Sequence, residues 1–216
     1  MIVRSHQKRH LLTSVFVILS FLMAFAVFVE RLEVHRLMGF DGRIIRLVQR
    51  KIDNPLTEFM KFFTFLGSPP VVATFVALTA GLLYRNGHRR EALGMVMANA
   101  AGAGFNEGLK YMFRRQRPDI HRLVPVHGYS FPSGHSMGSV MFYGTLFYFL
   151  FRRASNWLLK AIALVASTFM VLVTGMSRIY LGVHYPSDVI SGYAAAGAWL
   201  SASMKGFRAF SMDERE

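Results

Sequence analysis

Apolar and polar positions along this chain fall into long blocks, not into the short alternations of a soluble fold. Six apolar runs stand out, at 11–29, 69–84, 92–113, 134–151, 157–176 and 187–204. Each is close to the roughly 20 residues a helix needs to cross a 30 Å hydrocarbon layer. A lipid-facing backbone must satisfy its own hydrogen bonds, so the pattern predicts an all-α fold. The expected architecture is a bundle of six transmembrane helices, one integral-membrane domain over 1–216. The first run follows the basic segment MIVRSHQKRH, but it is long for a secretory signal and no small-x-small cleavage site follows it. It reads as a retained span.

Residues 30–68 break the pattern. There Ile44, Ile45, Leu47, Val48 and Ile52 alternate with Arg43, Arg46, Arg50 and Lys51, and Asp41 is placed to cap the helix they form. Pro55 opens a second segment through Phe59, Met60, Phe62 and Phe63. This connection between the first two spans is expected to lie in the membrane interface, either guiding an amphiphilic substrate or covering the bundle. The third run is rich in Gly and Ala and carries Asn99, Asn106 and Glu107, which predicts a helix buried at the centre of the bundle.

Composition sharpens this picture. The chain is 53% hydrophobic with a mean hydropathy of +0.33, and it has no cysteine, which removes disulfides, thiolate metal sites and Cys nucleophiles. A net charge of +13 would suit nucleic acid. The basic residues, however, sit in short clusters beside apolar runs, and no nucleic-acid module is recognisable, so anionic lipid headgroups are the expected partner. No obligate protein partner is evident. Arg4, Lys8 and Arg9, then Arg85, Arg89 and Arg90, then Arg152, Arg153 and Lys160, then Lys205, Arg208 and Arg215 all fall on one side of a six-span chain. The 25 Lys and Arg divide 12 to 13 between the two sides, but seven of the 13 lie in the amphipathic connection. Weighting the short loops places both termini in the cytoplasm.

Three stretches carry candidate chemistry. In Ser177-Arg-Ile-Tyr-Leu-Gly-Val-His-Tyr-Pro-Ser-Asp188, His184 and Asp188 are four residues apart and share a face of a helical turn. The carboxylate can hold the Nδ1 hydrogen and leave Nε2 as a neutral nucleophile or base, while Arg178 supplies a charged fork for phosphate or carboxylate oxygens. Lys110 and Arg117 are seven residues apart, about 10 Å along a helix, on the same side, and Pro118 turns the chain out of the span. In Phe131-Pro-Ser-Gly-His135, Ser133 can cap the fourth span, Gly134 admits a ligand to the backbone, and the free N–H groups of the first turn form an anion site beside His135. Glu107 is placed to pair with Lys110, to pair with another basic group of the site, or to be solvated at the helix end, while Asp119, His121 and His127 have no assigned role.

Together these stretches resemble the type 2 phosphatidic acid phosphatase superfamily of lipid phosphatases. Lys110 to Pro118 matches K-x6-R-P, residues 132–135 match P-S-G-H, and Ser177 to Asp188 matches S-R-x5-H-x3-D, all in order. The FPSGHSM run is similar to small bacterial members acting on phosphatidylglycerol phosphate and undecaprenyl pyrophosphate. The resemblance implies a membrane enzyme that hydrolyses a lipid phosphate without metal or other cofactor. In it His184 would attack phosphorus, Asp188 would hold the His184 tautomer, and His135 would protonate the leaving oxygen and then activate water. Lys110, Arg117, Arg178, Ser133 and Gly134 would hold the phosphoryl oxygens. The site would then face the extracytoplasmic side of the cell membrane. Undecaprenyl pyrophosphate is the first expectation for substrate and phosphatidylglycerol phosphate the second. Arg114 and Arg115, outside the signature, are expected to act mainly through lipid contact. A transporter or flippase that binds anionic lipid without cleaving it is the alternative. A vanadate-dependent haloperoxidase shares the signature, but that group is soluble.

Overall fold

A computed structural model of the chain describes residues 2–33 and 37–212, with side chains over 12–32 and 37–207. The side chains of Arg4, Lys8 and Arg9, and of Arg208 and Arg215, which bear on orientation, lie outside the described residues.

Eight helices and no strand make up the described chain: α1 Ile2–Glu33, α2 Met38–Gln49, α3 Asn54–Leu66, α4 Pro69–Arg85, α5 Arg89–Phe113, α6 Gly134–Arg153, α7 Trp157–Tyr180 and α8 Pro186–Met212. Each of the six apolar runs lies within one helix. By length and hydropathy alone, two stretches are apolar enough to cross a membrane, Leu12–Leu32 and Trp157–Tyr180. The pair α3 and α4, bent by 51° at its break, qualifies together as a third. The other helices fall short for a physical reason: α5, α6 and α8 carry the Asn, Ser, Gly, His and charged residues that surround the site.

The helices begin and end where their termini are satisfied. Asp53 caps α3 through Leu56 N, Ser133 accepts from Ser136 N at the start of α6, and Asn156 accepts from Leu158 N at the start of α7. Asp41 does not cap α2, whose N-cap is Leu37. Its carboxylate reaches instead to Ser187 N at 2.9 Å, so it caps α8 from across the fold.

α6 sits at the centre, packed on α4, α5, α7 and α8, and α1 lies on α8. α5 is therefore not the buried central helix that its composition predicts. Only some of its small residues are packed, Ala92, Ala98 and Gly102 among them, while Ala100, Ala101, Ala103, Gly104 and Gly108 stay exposed with Leu93, Met97, Tyr111 and Met112. At Gly102 a Cβ would run into Met141 and Trp199, so this glycine sets how closely α5 approaches α6 and α8. α2 turns Ile45 and Asp41 inward and leaves Arg43, Arg46 and Leu47 exposed. Val48, Ile52, Leu56 and Met60 form a small core with Leu123, Tyr180, Leu181 and Val183, which ties α2 and α3 to the connection 114–133 and to the turn after α7. Gly182, at φ +70, lets that turn pass beneath the His121 carbonyl, where a Cβ would clash.

Candidate active site

The site forms at one end of the bundle, where α5 ends, α6 begins, α7 ends and α8 begins. His184 stands on the turn between α7 and α8, and Asp188 on the first turn of α8. Both side chains are buried. His184 Nδ1 faces Asp188 Oδ2 at 3.4 Å, and its Nε2 meets Arg117 NH1 at 3.0 Å. A guanidinium donates and cannot accept, so Nε2 carries the lone pair and the ring hydrogen sits on Nδ1, toward the carboxylate. This is the tautomer that leaves Nε2 nucleophilic.

Burial holds the His184 pKa down at about 4; Asp188 acts against this, and Arg178 and Arg117 act with it. The ring is therefore neutral at physiological pH. Burial likewise lowers Arg117 from its usual range, partly countered by Asp188.

Arg117 occupies all five of its donors. Nε donates to Gly128 O, NH1 to Val183 O and His184 Nε2, and NH2 to His127 O and Tyr129 O. It thus stitches the 127–129 segment onto the turn carrying His184. Arg178 is the opposite case: it is buried, NH1 donates to Thr64 Oγ1, and Nε has no hydrogen-bond partner among the described residues. A buried guanidinium with a free donor is costly unless an anion answers it. Lys110 pairs with Glu107 at 2.8 Å, and the Glu107 side chain stays 58% exposed at the helix end.

A cavity of about 660 Å³ joins these groups, lined at its polar end by Lys110, Arg117, Gly134, His135, Arg178 and His184. Glu107 and His127 also line it. The His135 ring is half-buried and, among the described residues, no hydrogen bond engages it. At Gly134 a Cβ would stand 2.9 Å from Asn106 Oδ1 and 3.3 Å from Lys110 Nζ, so the glycine keeps this wall open. Of the eight candidate site residues, Ser133 and Asp188 do not line the cavity. Asp188 stands behind His184, and the Ser133 hydroxyl is buried as the α6 cap, where it accepts from Ser136 Oγ at 2.9 Å. Asp119 and His121 lie outside the cavity, Asp119 facing Arg122 at 3.7 Å.

Sequence reasoning alone gives no site role to three residues around Asp188. Ser130 donates to Asp188 Oδ2 and lies 3.4 Å from His184 Nδ1. Arg115 is the larger correction: it is no lipid-facing residue. Its side chain is only 12% exposed, its NH1 donates to Asp188 Oδ1, and its NH2 bonds Asp41 Oδ2 at 2.8 Å. Asp41 is the third, buried with Arg115. Arg114 stays exposed. The alternation of Arg115 with the signature Arg117 was visible, but the partner that buries it comes from a helix some seventy residues upstream. Among the described residues no group of three or more His, Cys, Asp or Glu side chains is placed to share a metal ion.

The PAP2 superfamily profile matches residues 91–211, more than half of the chain, including all three motif stretches. The chain belongs to the PAP2 superfamily. It is 35% identical to phosphatidylglycerophosphatase B of Bacillus subtilis over 157 residues, 70% of this chain and 75% of that protein. To an undecaprenyl-diphosphatase of Sulfolobus acidocaldarius it is 25% identical over 191 residues, 86% of each chain. The crystal structure of a transmembrane PAP2-type phosphatidylglycerolphosphate phosphatase from Bacillus subtilis superposes with a TM-score of 0.83 at 26% identity, covering 90% of this chain and 96% of that one. PAP2 membership makes the chain a hydrolase acting on phosphate esters, in a family of membrane lipid phosphatases.

Proposed function

We propose that this PAP2 protein removes a phosphate from a lipid phosphate or pyrophosphate through a phosphohistidine. The observation that carries this reading is the His184 ring, locked with its lone pair on Nε2 and opening into a cavity that is cationic at one end and apolar at the other. Val72, Val76, Val96, Ala100, Ala103 and Met141 line the apolar end, between α4, α5 and α6, and suit a hydrocarbon tail.

In the first step the Nε2 lone pair of His184 attacks phosphorus in line, the P–O bond to the leaving group breaks, and His135 gives that oxygen a proton. The phosphoryl group enters against the Arg117 N–H that now faces Nε2, and that N–H passes to an equatorial oxygen. Arg178 and Lys110, with the Gly134 N–H, hold the remaining oxygens as charge redistributes. Asp188 stabilises the cationic ring. In the second step His135 takes a proton from water, the oxygen attacks phosphorus, the P–N bond breaks and inorganic phosphate leaves. The Ser133 hydroxyl contributes by fixing the α6 terminus whose N–H groups face the anion.

α1, α4, α5, α6, α7 and α8 would be the six spans, with α2 and α3 in the interface and the whole chain one domain. Both termini then lie in the cytoplasm and the site on the extracytoplasmic face of a bacterial cell membrane. The Glu91–Arg153 ion pair at 3.0 Å supports placing the basic turns at 85–90 and 152–160 together, at the end away from His184. For substrate we keep undecaprenyl pyrophosphate first and phosphatidylglycerol phosphate second. The names of the two curated relatives support including both.

The test is phosphate release by purified protein in EDTA from undecaprenyl pyrophosphate, phosphatidylglycerol phosphate, phosphatidic acid and a soluble aryl phosphate, beside His184→Ala. Release that survives EDTA and is lost with His184 is expected, the fastest lipid naming the substrate. Release that needs a metal, or that persists without His184, overturns the mechanism. Release from none of them would favour lipid binding or transport.

A further inference from the structure

Behind His184 lies a buried ionic cluster of which the PAP2 signature contains only Asp188. Asp188 accepts from four directions: the His184 ring, Ser130 Oγ, Tyr185 N at 2.9 Å and Arg115 NH1. The same Arg115 nitrogen donates to Ser187 Oγ at 2.7 Å, and NH2 crosses to Asp41 on α2. Asp41 in turn accepts from Ser187 N at 2.9 Å and Ser187 Oγ at 2.7 Å, while the Arg115 guanidinium lies over the Tyr185 ring at 4.0 Å. One guanidinium therefore joins two carboxylates from helices far apart in sequence, and both carboxylates are sequestered from water.

We propose that Arg115 and Asp41 are positioning residues for phosphoryl transfer, fixing the Asp188 carboxylate so that it holds His184 in its nucleophilic tautomer. The proposal rests on the phosphohistidine reading above. The chemistry favours this pair over simple packing. Asp188 Oδ1 is bound by Arg115, which leaves Oδ2 as the oxygen that meets the imidazole. A lysine could not reproduce this, because a point charge lacks the fork that spans two carboxylates in fixed directions. Arg115 also sets how strongly Asp188 supports an imidazolium. The charged or titratable groups around the His184 ring are Asp188 on α8, Tyr185 beside His184 on the same turn, Arg117, Arg115 and His127 on the 114–133 connection, Arg178 on α7, His135 on α6, and Lys110 and Glu107 on α5, with Asp41 on α2 one step behind. Removing the Arg115 cation frees Asp188 to stabilise a protonated ring, so His184 should take up its proton at higher pH.

The experiment compares Arg115→Gln, Arg115→Lys, Asp41→Asn and the control Arg114→Ala in full-length protein, reading kcat, KM and the pH dependence of kcat/KM with the fastest substrate. Arg115→Gln is expected to lose roughly a hundredfold in kcat with KM within about threefold, and to move the acid limb up by about one pH unit. Arg115→Lys should recover the limb and only part of kcat, Asp41→Asn should lose roughly tenfold, and Arg114→Ala should match the parent. Arg115→Gln could unfold the protein by stranding Asp41 and Asp188; the double variant Asp41→Asn with Arg115→Gln then carries the test, since it leaves one buried carboxylate with an amide donor. A folded Arg115 variant with parental kcat and an unmoved limb overturns the proposal, as does a loss confined to KM or one shared by Arg114→Ala. Inactivity of the parent itself would instead count against the phosphohistidine reading.

Discussion

At the scale of single residues, the site is a set of donors arranged around one lone pair. Arg117 engages every N–H it has, and one of them settles which nitrogen of His184 is free. His184→Ala should therefore abolish phosphate release, while Asp188→Asn, which can still accept a hydrogen bond but has lost its charge, should leave on the order of one part in a thousand. A burst assay with labelled substrate checks both; near-parental turnover by the alanine variant would remove His184 from the nucleophile's role. The His184 pKa of about 4 has a second consequence, for stability. In the unfolded chain the ring titrates near 6.5, so between these values the unfolded state binds the extra proton. The stabilisation is fully present above about 6.5, is lost as pH falls, and is gone below about 4, amounting to about 3 kcal/mol. Thermal midpoints of the parent should fall across that window, and His184→Gln should fall less. Equal slopes for the two proteins would show that another group carries the acid sensitivity.

Helices and their joints show where sequence reading succeeded and where it stopped. The helical blocks, the Ser133 cap, and the convergence of the 110–117, 133–135 and 178–188 stretches were legible, because each depends on local spacing or on a motif. The direction of Asp41 was not. A carboxylate near a helix start reads as the cap of that helix, and only the packed fold shows that it caps α8 and meets Arg115. The role of α5 misled for a related reason: Gly and Ala permit close approach without saying on how many sides it occurs. Glycines at element contacts therefore make sharp tests. Gly102→Val puts a side chain against Met141 and Trp199, and should cost about 1 to 3 kcal/mol of stability, read as a lower thermal midpoint. Gly134→Val, against Asn106 and Lys110, should instead reduce kcat/KM at least tenfold while moving the midpoint much less. If the two variants lost stability equally, Gly134 would be a packing residue and no part of the phosphate wall.

For the whole molecule the open question is which way the bundle faces, and the chain supplies its own means of asking. With α1 and α4 to α8 as the six spans, the 85–90 turn and the 152–156 turn belong to one end and residues 119–122 to the other, above the site. The positive-inside rule favours the basic turns for the cytoplasm, because Lys and Arg resist translocation. Against this stands an almost even overall count, 12 to 13, in which the site and the amphipathic connection account for the larger half. Charges that would bind phosphate, and the one that holds Asp188, are fixed by chemistry, whichever side they occupy. They therefore say little about orientation, and the short turns should decide it. The sequence has no cysteine, so a single introduced one is unique. Asn86→Cys and Ser155→Cys should resist a membrane-impermeant maleimide in intact cells and react after permeabilisation, while Asp119→Cys, at a fully exposed side chain, should react in both. The reverse pattern would put the phosphatase site in the cytoplasm. It would also make a lipid phosphate of the inner leaflet the substrate class, and leave the buried chemistry around His184 unchanged.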